Sequence, residues 1–285
     1  MSNQFKEALR KNKAAPLKRL GQNFLVSQEV KTKIIEAAQI KPKDTVLEIG
    51  PGLGALTFEL AQKAKQVIAI EKDKKIAEIL KKRILKENIR NIKVIAEDIL
   101  KDNVLLSTFN GLRYKVVANL PFNIATAVIM KFLESKKPPK LMVVMVQKEV
   151  AQRMCASPPH MNKLAVFCQA LSKPEIVAFV SSSAFWPKPK VNSAIIRLQP
   201  KETNGALGSV DYINFSKVVN AGFSHPRKTL LNNFAKLDRG QTPISTQKEK
   251  IAKWLVQNNI QPNQRPETLT INDWQNLVKT LPPRN

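Results

Sequence analysis

The chain has 285 residues, with 47 Lys+Arg against 22 Asp+Glu and a formal net charge of +25 at pH 7. That length supports one large domain and a small one with a real core, and the ordinary apolar content excludes a disordered chain. No apolar run reaches the ~18 residues of a membrane span, and no apolar block follows the N-terminal charges, so neither a membrane protein nor a secreted one is expected.

Residues 1–20 hold six basic residues and one acidic one with no apolar period, which predicts a flexible basic arm. Ser27 is placed to cap a helix running to about Gln39. Strands and helices then alternate: strand Thr45–Gly50, helix Ala55–Lys65, strand Gln66–Glu71, helix Asp73–Glu87 and strand Ile92–Ala96. Strand Tyr114–Asn119 follows with helix Ile124–Glu134, then strand Leu141–Val146 and a helix from about Lys148. Short apolar strands alternating with amphipathic helices predict an α/β fold, a Rossmann-like parallel sheet covered on both faces. Two later strands, Glu175–Val180 and Ser193–Leu198, flank a Pro-rich turn and would add an antiparallel edge. The polar stretch Lys201–Ser209 reads as a linker. Helical patterns follow at Asp211–Ala221, Arg227–Ala235, Ser245–Gln257 and Ile271–Thr280, a small all-helical C-terminal domain.

The excess of positive charge points to a polyanionic partner, and nucleic acid is the usual one. A generally basic proteome or an anionic membrane surface would also fit the charge. Cys155 and Cys168 are the only cysteines and lack companions for a zinc set, so they read as reduced thiols of a cytoplasmic protein. There is no Ser/His/Asp set and no metal-ligand cluster, and His160 and His225 stand alone; no metal is expected.

In "VLEIGPGLGALT" a strand leads into Gly50, Gly52 and Gly54 and then a helix. Glycine permits a sharp turn and close approach of backbone to ligand. Glu71 ends the next strand, where a carboxylate can accept both hydroxyls of a ribose. The spacing is GxGxG rather than GxGxxG. Glu48, just ahead of the loop, suits a cationic ligand such as an ammonium or sulfonium better than a pyrophosphate. Asp98, after the third strand, lies at the edge where open sheets bind ligands and could accept an adenine amine; its neighbour Glu97 reads as a surface charge. Asn119 ends the fourth strand, followed by Leu120, Pro121 and Phe122. Pro121 fixes φ and extends Leu120, whose carbonyl could then join the Asn119 amide oxygen as a second acceptor. Phe122 offers a face for an everted base. Together they describe a clamp for a planar amine.

"LGQNFL", "EIGPGLGALT", Glu71, "EDIL", "NLPF" and "SAFWPKPKVNSAIIRL" occur in this order, with "FSHPRKTLLNN" and "RPETL" behind them. The chain resembles the small-subunit (16S) ribosomal RNA adenine N6-dimethyltransferases, the enzymes linked with kasugamycin sensitivity, over most of residues 15–235. The resemblance implies a class I S-adenosylmethionine-dependent methyltransferase with S-adenosylmethionine as methyl donor. It implies donor contacts at Asn23, Leu25, Gly50 and Gly52, with Glu71 at the ribose, Asp98 at the adenine and Asn119 at the methyl end. It implies a catalytic segment Asn119, Leu120, Pro121 and Phe122, and a second aromatic beside the target base at Phe185. Trp186 could be either a loop or a core indole. The family's usual motif is Asn-Leu-Pro-Tyr, and Phe122 keeps the ring while lacking the hydroxyl.

The expected organisation is an arm at 1–20, a catalytic domain at 21–203 and a helical RNA-binding domain at 210–285. Lys18 and Arg19 of the arm, with Arg227 and Lys228 at a helix start, would track phosphates. The expected partner is 16S rRNA in the assembling small subunit, met by a cytoplasmic monomer. Competing readings are a large-subunit rRNA methyltransferase of the macrolide-resistance type, a non-enzymatic nucleic-acid-binding relative, and an NAD-dependent oxidoreductase.

Overall fold

The computed structural model describes residues 7, 9–12, 15–17, 20–101, 113–201, 209–235 and 244–281. Lys18 and Arg19, expected to track phosphates, and positions 202–208 of the expected linker lie outside the described residues. The chain forms two compact units, Met1–Gln152 with Lys173–Pro200, and Arg153–Ser172 with Lys201–Asn285.

The first unit begins with β1 (Phe24–Leu25), α1 (Gln28–Ala38) and β2 (Thr45–Ile49). Then come α2 (Thr57–Lys63), β3 (Gln66–Ile70), α3 (Lys74–Lys86) and β4 (Ile92–Ile95). β5 (Tyr114–Asn119), α4 (Ala125–Leu133) and β6 (Leu141–Gln147) follow, and α5 (Lys148–Met154) leaves the unit. After α6 (Lys163–Leu171) in the second unit, the chain returns through β7 (Ser172–Val180), β8 (Phe185–Trp186) and β9 (Ser193–Pro200).

Seven strands form one sheet in the order β4-β3-β2-β5-β6-β9-β7. β4, β3, β2, β5 and β6 run parallel, and β9 joins β6 antiparallel, with Gln147 opposite Ser193. The central strands are near-continuous apolar runs because both sheet faces are covered. Every residue of β2 is buried. Helix starts follow capping chemistry: Ser27 accepts from the Val30 N–H, and Asp73 accepts from Lys75 and Ile76. Lys115, on β5, is buried yet paired: its ammonium meets Asp44 at 2.8 Å and donates to the Ala38 and Gln39 carbonyls at the end of α1. A cation there satisfies orphan carbonyls and the helix dipole at once.

Three expectations need correction. The helix behind the glycine loop starts at Thr57, not Ala55, because the backbone stays in turns as far as Leu56. The arm is not wholly free: Leu9 is buried in a cluster with Phe24, Leu53, Ile76 and Ile79. The helix expected from Arg227 starts at Leu230, so Arg227 and Lys228 are exposed in the turn ahead of it. β1 was not foreseen; it pairs antiparallel with β8, Phe24 opposite Trp186 and Leu25 opposite Phe185.

The second unit packs α6, α7 (Ser209–Gly222), α8 (Leu230–Phe234), α9 (Ile244–Gln257) and α10 (Ile271–Lys279). Its core joins Phe215, Leu230, Phe234, Trp254 and Trp274. Buried Asn233 donates to the Gly222, His225 and Lys228 carbonyls and so fixes the turn that carries Arg227 and Lys228. Thr270 and Asp273 form a capping box at the start of α10.

Candidate active site

The C-terminal edges of β2, β3, β4 and β5 converge on one cavity of about 1080 Å³, counting its open mouth. Its walls include Asn23, Phe24 and Leu25, the glycine loop, Glu48, Glu71, Lys72, Asp98 and the segment Asn119–Ile124. Every donor-contact residue expected from the sequence lies in this wall, as does the whole Asn119–Phe122 segment.

The glycine loop is held from both sides. The Gly50 N–H donates to the Ile70 carbonyl at 2.9 Å. Gly52 has φ 56°, a left-handed conformation that favours glycine, and a Cβ there would lie 3.1 Å from the Phe24 ring. Its N–H donates to Glu71 Oε2 at 3.1 Å. The Arg83 guanidinium donates to the Leu53 carbonyl and lies 4.8 Å from the centre of the Phe58 ring.

Glu71 is buried. Its other oxygen, Oε1, accepts from the Asp73 N–H at 2.9 Å. Burial raises its pKa, and backbone donors oppose that rise. A carboxylate has about four lone-pair sites, so two N–H bonds leave it able to accept two hydroxyls. Asp98 behaves oppositely. Lys72 sits 2.8 Å from Oδ2 and holds the carboxyl below its ordinary pKa, helped by the Leu100 N–H on Oδ1. Sequence reasoning missed Lys72, although a cation directly after Glu71 and an acid beyond the neighbouring strand could have suggested the pair.

Glu48 is the unusual group. It is 2% exposed, and its Oε2 has no hydrogen-bond partner among the described residues. Burial pushes its pKa up to about 8, and nearby Glu71 adds to the rise. Thr57 opposes the rise, although its hydroxyl has no hydrogen-bond partner among the described residues and no formed bond joins the two. An orphaned buried carboxyl oxygen in a cavity wall is a place for a cationic or N–H-bearing group.

At the tip of β5, the Asn119 amide nitrogen donates to the Asn23 carbonyl at 2.9 Å. That bond uses the donor end of the amide and assigns the oxygen as acceptor. Asn23 is tied in turn through its own amide to the Gly21 carbonyl at 3.1 Å. The β1–β8 ribbon holds this wall in place, with Phe24 and Trp186 rings stacked at 6.2 Å. Phe122 is half-buried in the cavity wall. Phe185 is not where it was expected: it is 4% exposed, packed with Leu25, Met145 and Ile195 in the core, and absent from the wall. The ribbon turns its ring inward, leaving no face for a base. Trp186 is half-buried against Phe24.

The residues fit an adenosyl sulfonium donor: a close-approach glycine loop, a carboxylate for a ribose, another for an exocyclic amine, and an orphaned carboxyl for a cation. Sheet order, loop and carboxylate positions define a class I S-adenosylmethionine-dependent methyltransferase. The family model of the ribosomal RNA adenine dimethylases matches residues 15–280. The chain belongs to that family. It is 41% identical to the ribosomal RNA small subunit methyltransferase A of Dehalococcoides mccartyi over 260 residues, 91% of this chain and 86% of that one. It is 40% identical to the protein of the same name from Alkaliphilus metalliredigens, covering 94% and 92% of the two chains. Among solved structures, a dimethyladenosine transferase from Plasmodium falciparum superposes with a TM-score of 0.76 at 30% identity, over 89% of this chain and 95% of that one. The 23S rRNA methyltransferase ErmE superposes with a TM-score of 0.71 at 25% identity, over 91% and 99%. Membership sets aside the NAD-dependent oxidoreductase.

Proposed function

We propose that this chain transfers methyl groups from S-adenosylmethionine to N6 of two adjacent adenosines near the 3′ end of 16S rRNA. The products would be dimethyladenosines, made in the cytoplasm by a monomer during small-subunit biogenesis. The observation that carries the reading is the bond from Asn119 to the Asn23 carbonyl, which leaves the Asn119 oxygen as acceptor in a cavity shared with Glu71 and Asp98. The small-subunit target is favoured over the large-subunit one by identity, 41% against 25% for ErmE.

The donor, when bound, supplies a methyl group already activated by its sulfonium. The protein's part is then placement. Asn23, Leu25, Gly50 and Gly52 would shape the donor side, Glu71 would accept ribose hydroxyls and Asp98 an adenine amine. The Asn119 oxygen and Leu120 carbonyl would accept the two N6–H bonds of the target and favour the amine as it becomes tetrahedral. Pro121 would hold that carbonyl in position, and Phe122 would stack on the everted base. No base is needed, since the methylated amine can release its proton to water.

Residues 21–203 would carry catalysis and 210–285 RNA binding. Exposed Arg227 and Lys228, with Lys18 and Arg19 of the arm, would contact phosphates. The test is incorporation of isotope-labelled methyl into unmethylated small ribosomal subunits, with the modified positions mapped. Two neighbouring dimethylated adenosines near the 3′ end are expected. Label confined to large-subunit RNA, or no incorporation, would overturn the proposal.

A further inference from the structure

Phe179 is an aromatic ring that the fold does not use. It is the penultimate residue of β7, the last strand of the sheet, and it is 57% exposed. Val177 and Val191 are exposed as well, at 39% and 45%. The Lys148 ammonium lies 5.0 Å from the centre of the Phe179 ring.

The place of this ring matters more than its exposure. Lys148 follows Gln147, the last residue of β6, and Asn119 pairs with Met145 on the same strand. Lys148 is therefore at the same sheet edge as the Asn119 tip. The Lys148 N–H donates to the Asn192 carbonyl at 2.9 Å, and the Ser182 N–H donates to Asn192 Oδ1 at 3.1 Å. Those two bonds bring the end of β7 and the start of β9 to that edge too. Three strand spacings of about 4.8 Å put Phe179 about 15 Å from Asn119 across the sheet. It lies on the side away from Gly50, Glu71 and Asp98, since β2, β3 and β4 are on the opposite flank of β5.

That edge is basic. Lys148, Lys188 and Lys190 are exposed, with Lys190 two residues ahead of Asn192, against Glu149. A second copy of the chain adding a strand to β7 is disfavoured by Lys173 and Pro174, which blunt an edge. An exposed ring with an ammonium over it and lysines around it fits an unpaired nucleotide: a base has a π-face for stacking, and its phosphate answers the charge.

We propose that Phe179 and Lys148 form a stacking platform for an unpaired base of the substrate RNA flanking the target adenosine, with Lys188 and Lys190 along its phosphates. This rests on the reading of the chain as an RNA methyltransferase. It adds a contact that fixes the path of the strand, across β6, β9 and β7, away from the donor.

The test uses the full chain and unmethylated small-subunit RNA, with RNA affinity from filter retention and donor affinity from calorimetry. Phe179→Ala and Phe179→Leu are each expected to weaken RNA binding about ten-fold, while Phe179→Tyr and Phe179→Trp keep it. Donor affinity should stay at the wild-type value in all four. Wild-type RNA affinity in Phe179→Leu would overturn stacking, and wild-type affinity in Phe179→Ala would overturn the surface altogether. A wild-type dimer in sedimentation that Phe179→Ala converts to monomer would assign the ring to self-association instead. A wild-type protein that neither binds donor nor transfers methyl would remove the underlying reading; normal transfer with an unaffected Phe179→Ala would remove only this inference.

Discussion

The side-chain amide of Asn119 donates to the main-chain carbonyl of Asn23 at 2.9 Å, joining the tip of β5 to the residue ahead of β1. An amide is required for this: its nitrogen faces a carbonyl while its oxygen serves the cavity. Asn119→Ala is expected to cut methyl transfer by at least 10²-fold, the usual cost of removing one preorganised polar group, while donor affinity stays within a few-fold. Asn119→Asp puts an acceptor against the Asn23 carbonyl and is expected to lower stability by about 1–3 kcal/mol as well. Labelled-methyl incorporation, calorimetry and thermal melts measure the three effects; full transfer by Asn119→Ala would remove the residue from catalysis.

Lys72 competes for the carboxylate that an adenine amine would use. The pair is partly exposed, so its strength is at most about 1 kcal/mol. Lys72→Met should therefore tighten donor binding, by up to about five-fold. Calorimetry at two salt concentrations is the check, because added salt should help the wild type more than the variant. Weaker donor binding in Lys72→Met would show that the lysine assists rather than competes.

Glu48 makes stability depend on pH. Its folded pKa is raised from 4.5 to about 8. Below pH 4.5 both folded and unfolded chains hold the proton, and its contribution is fully present. From 4.5 to about 8 the unfolded chain releases the proton while the folded one keeps it, so stability falls as pH rises and levels off above 8. Glu48→Gln cannot titrate. Its Tm relative to wild type should rise between pH 5 and pH 8. Parallel melting curves across that range would refute the assignment.

Gly52 combines a positive φ with a Cβ position 3.1 Å from the Phe24 ring. Gly52→Ala should lower stability by about 1–2 kcal/mol through backbone strain. It should also weaken donor binding, because the Gly52 N–H that steadies Glu71 must shift. A variant with wild-type Tm and wild-type donor affinity would show the loop to be more tolerant than its geometry implies.

The sheet was readable because β2, β5 and β6 are apolar runs buried on both faces, and the helix starts were readable from Ser27 and Asp73. Glu71, Asp98 and Asn119 could be placed because each ends or follows a parallel strand, and such tips share one edge. A two-residue strand has no period to detect, so the pairing of Phe24–Leu25 with Phe185–Trp186 was invisible. That gap produced the error at Phe185, whose ring faces the core only because the ribbon orients it. α6 was missed because the helix expected from Lys148 was given no end, although Pro158 and Pro159 break it and Asn162 caps a new start.

The ribbon also sets an order of events at synthesis. A nascent chain that has yet to expose Phe185 and Trp186 already contains the glycine loop, Glu71 and Asn119, but Phe24 and Leu25 have no strand to pair with. The wall carrying Asn23 then keeps the Asn119 bond and the packing of Phe24 on Leu53, Ile76 and Ile79 but lacks its antiparallel partner, so the site is completed only when translation has passed β8. A truncated product ending before it should bind the methyl donor more weakly than the full chain even where its parallel strands have assembled.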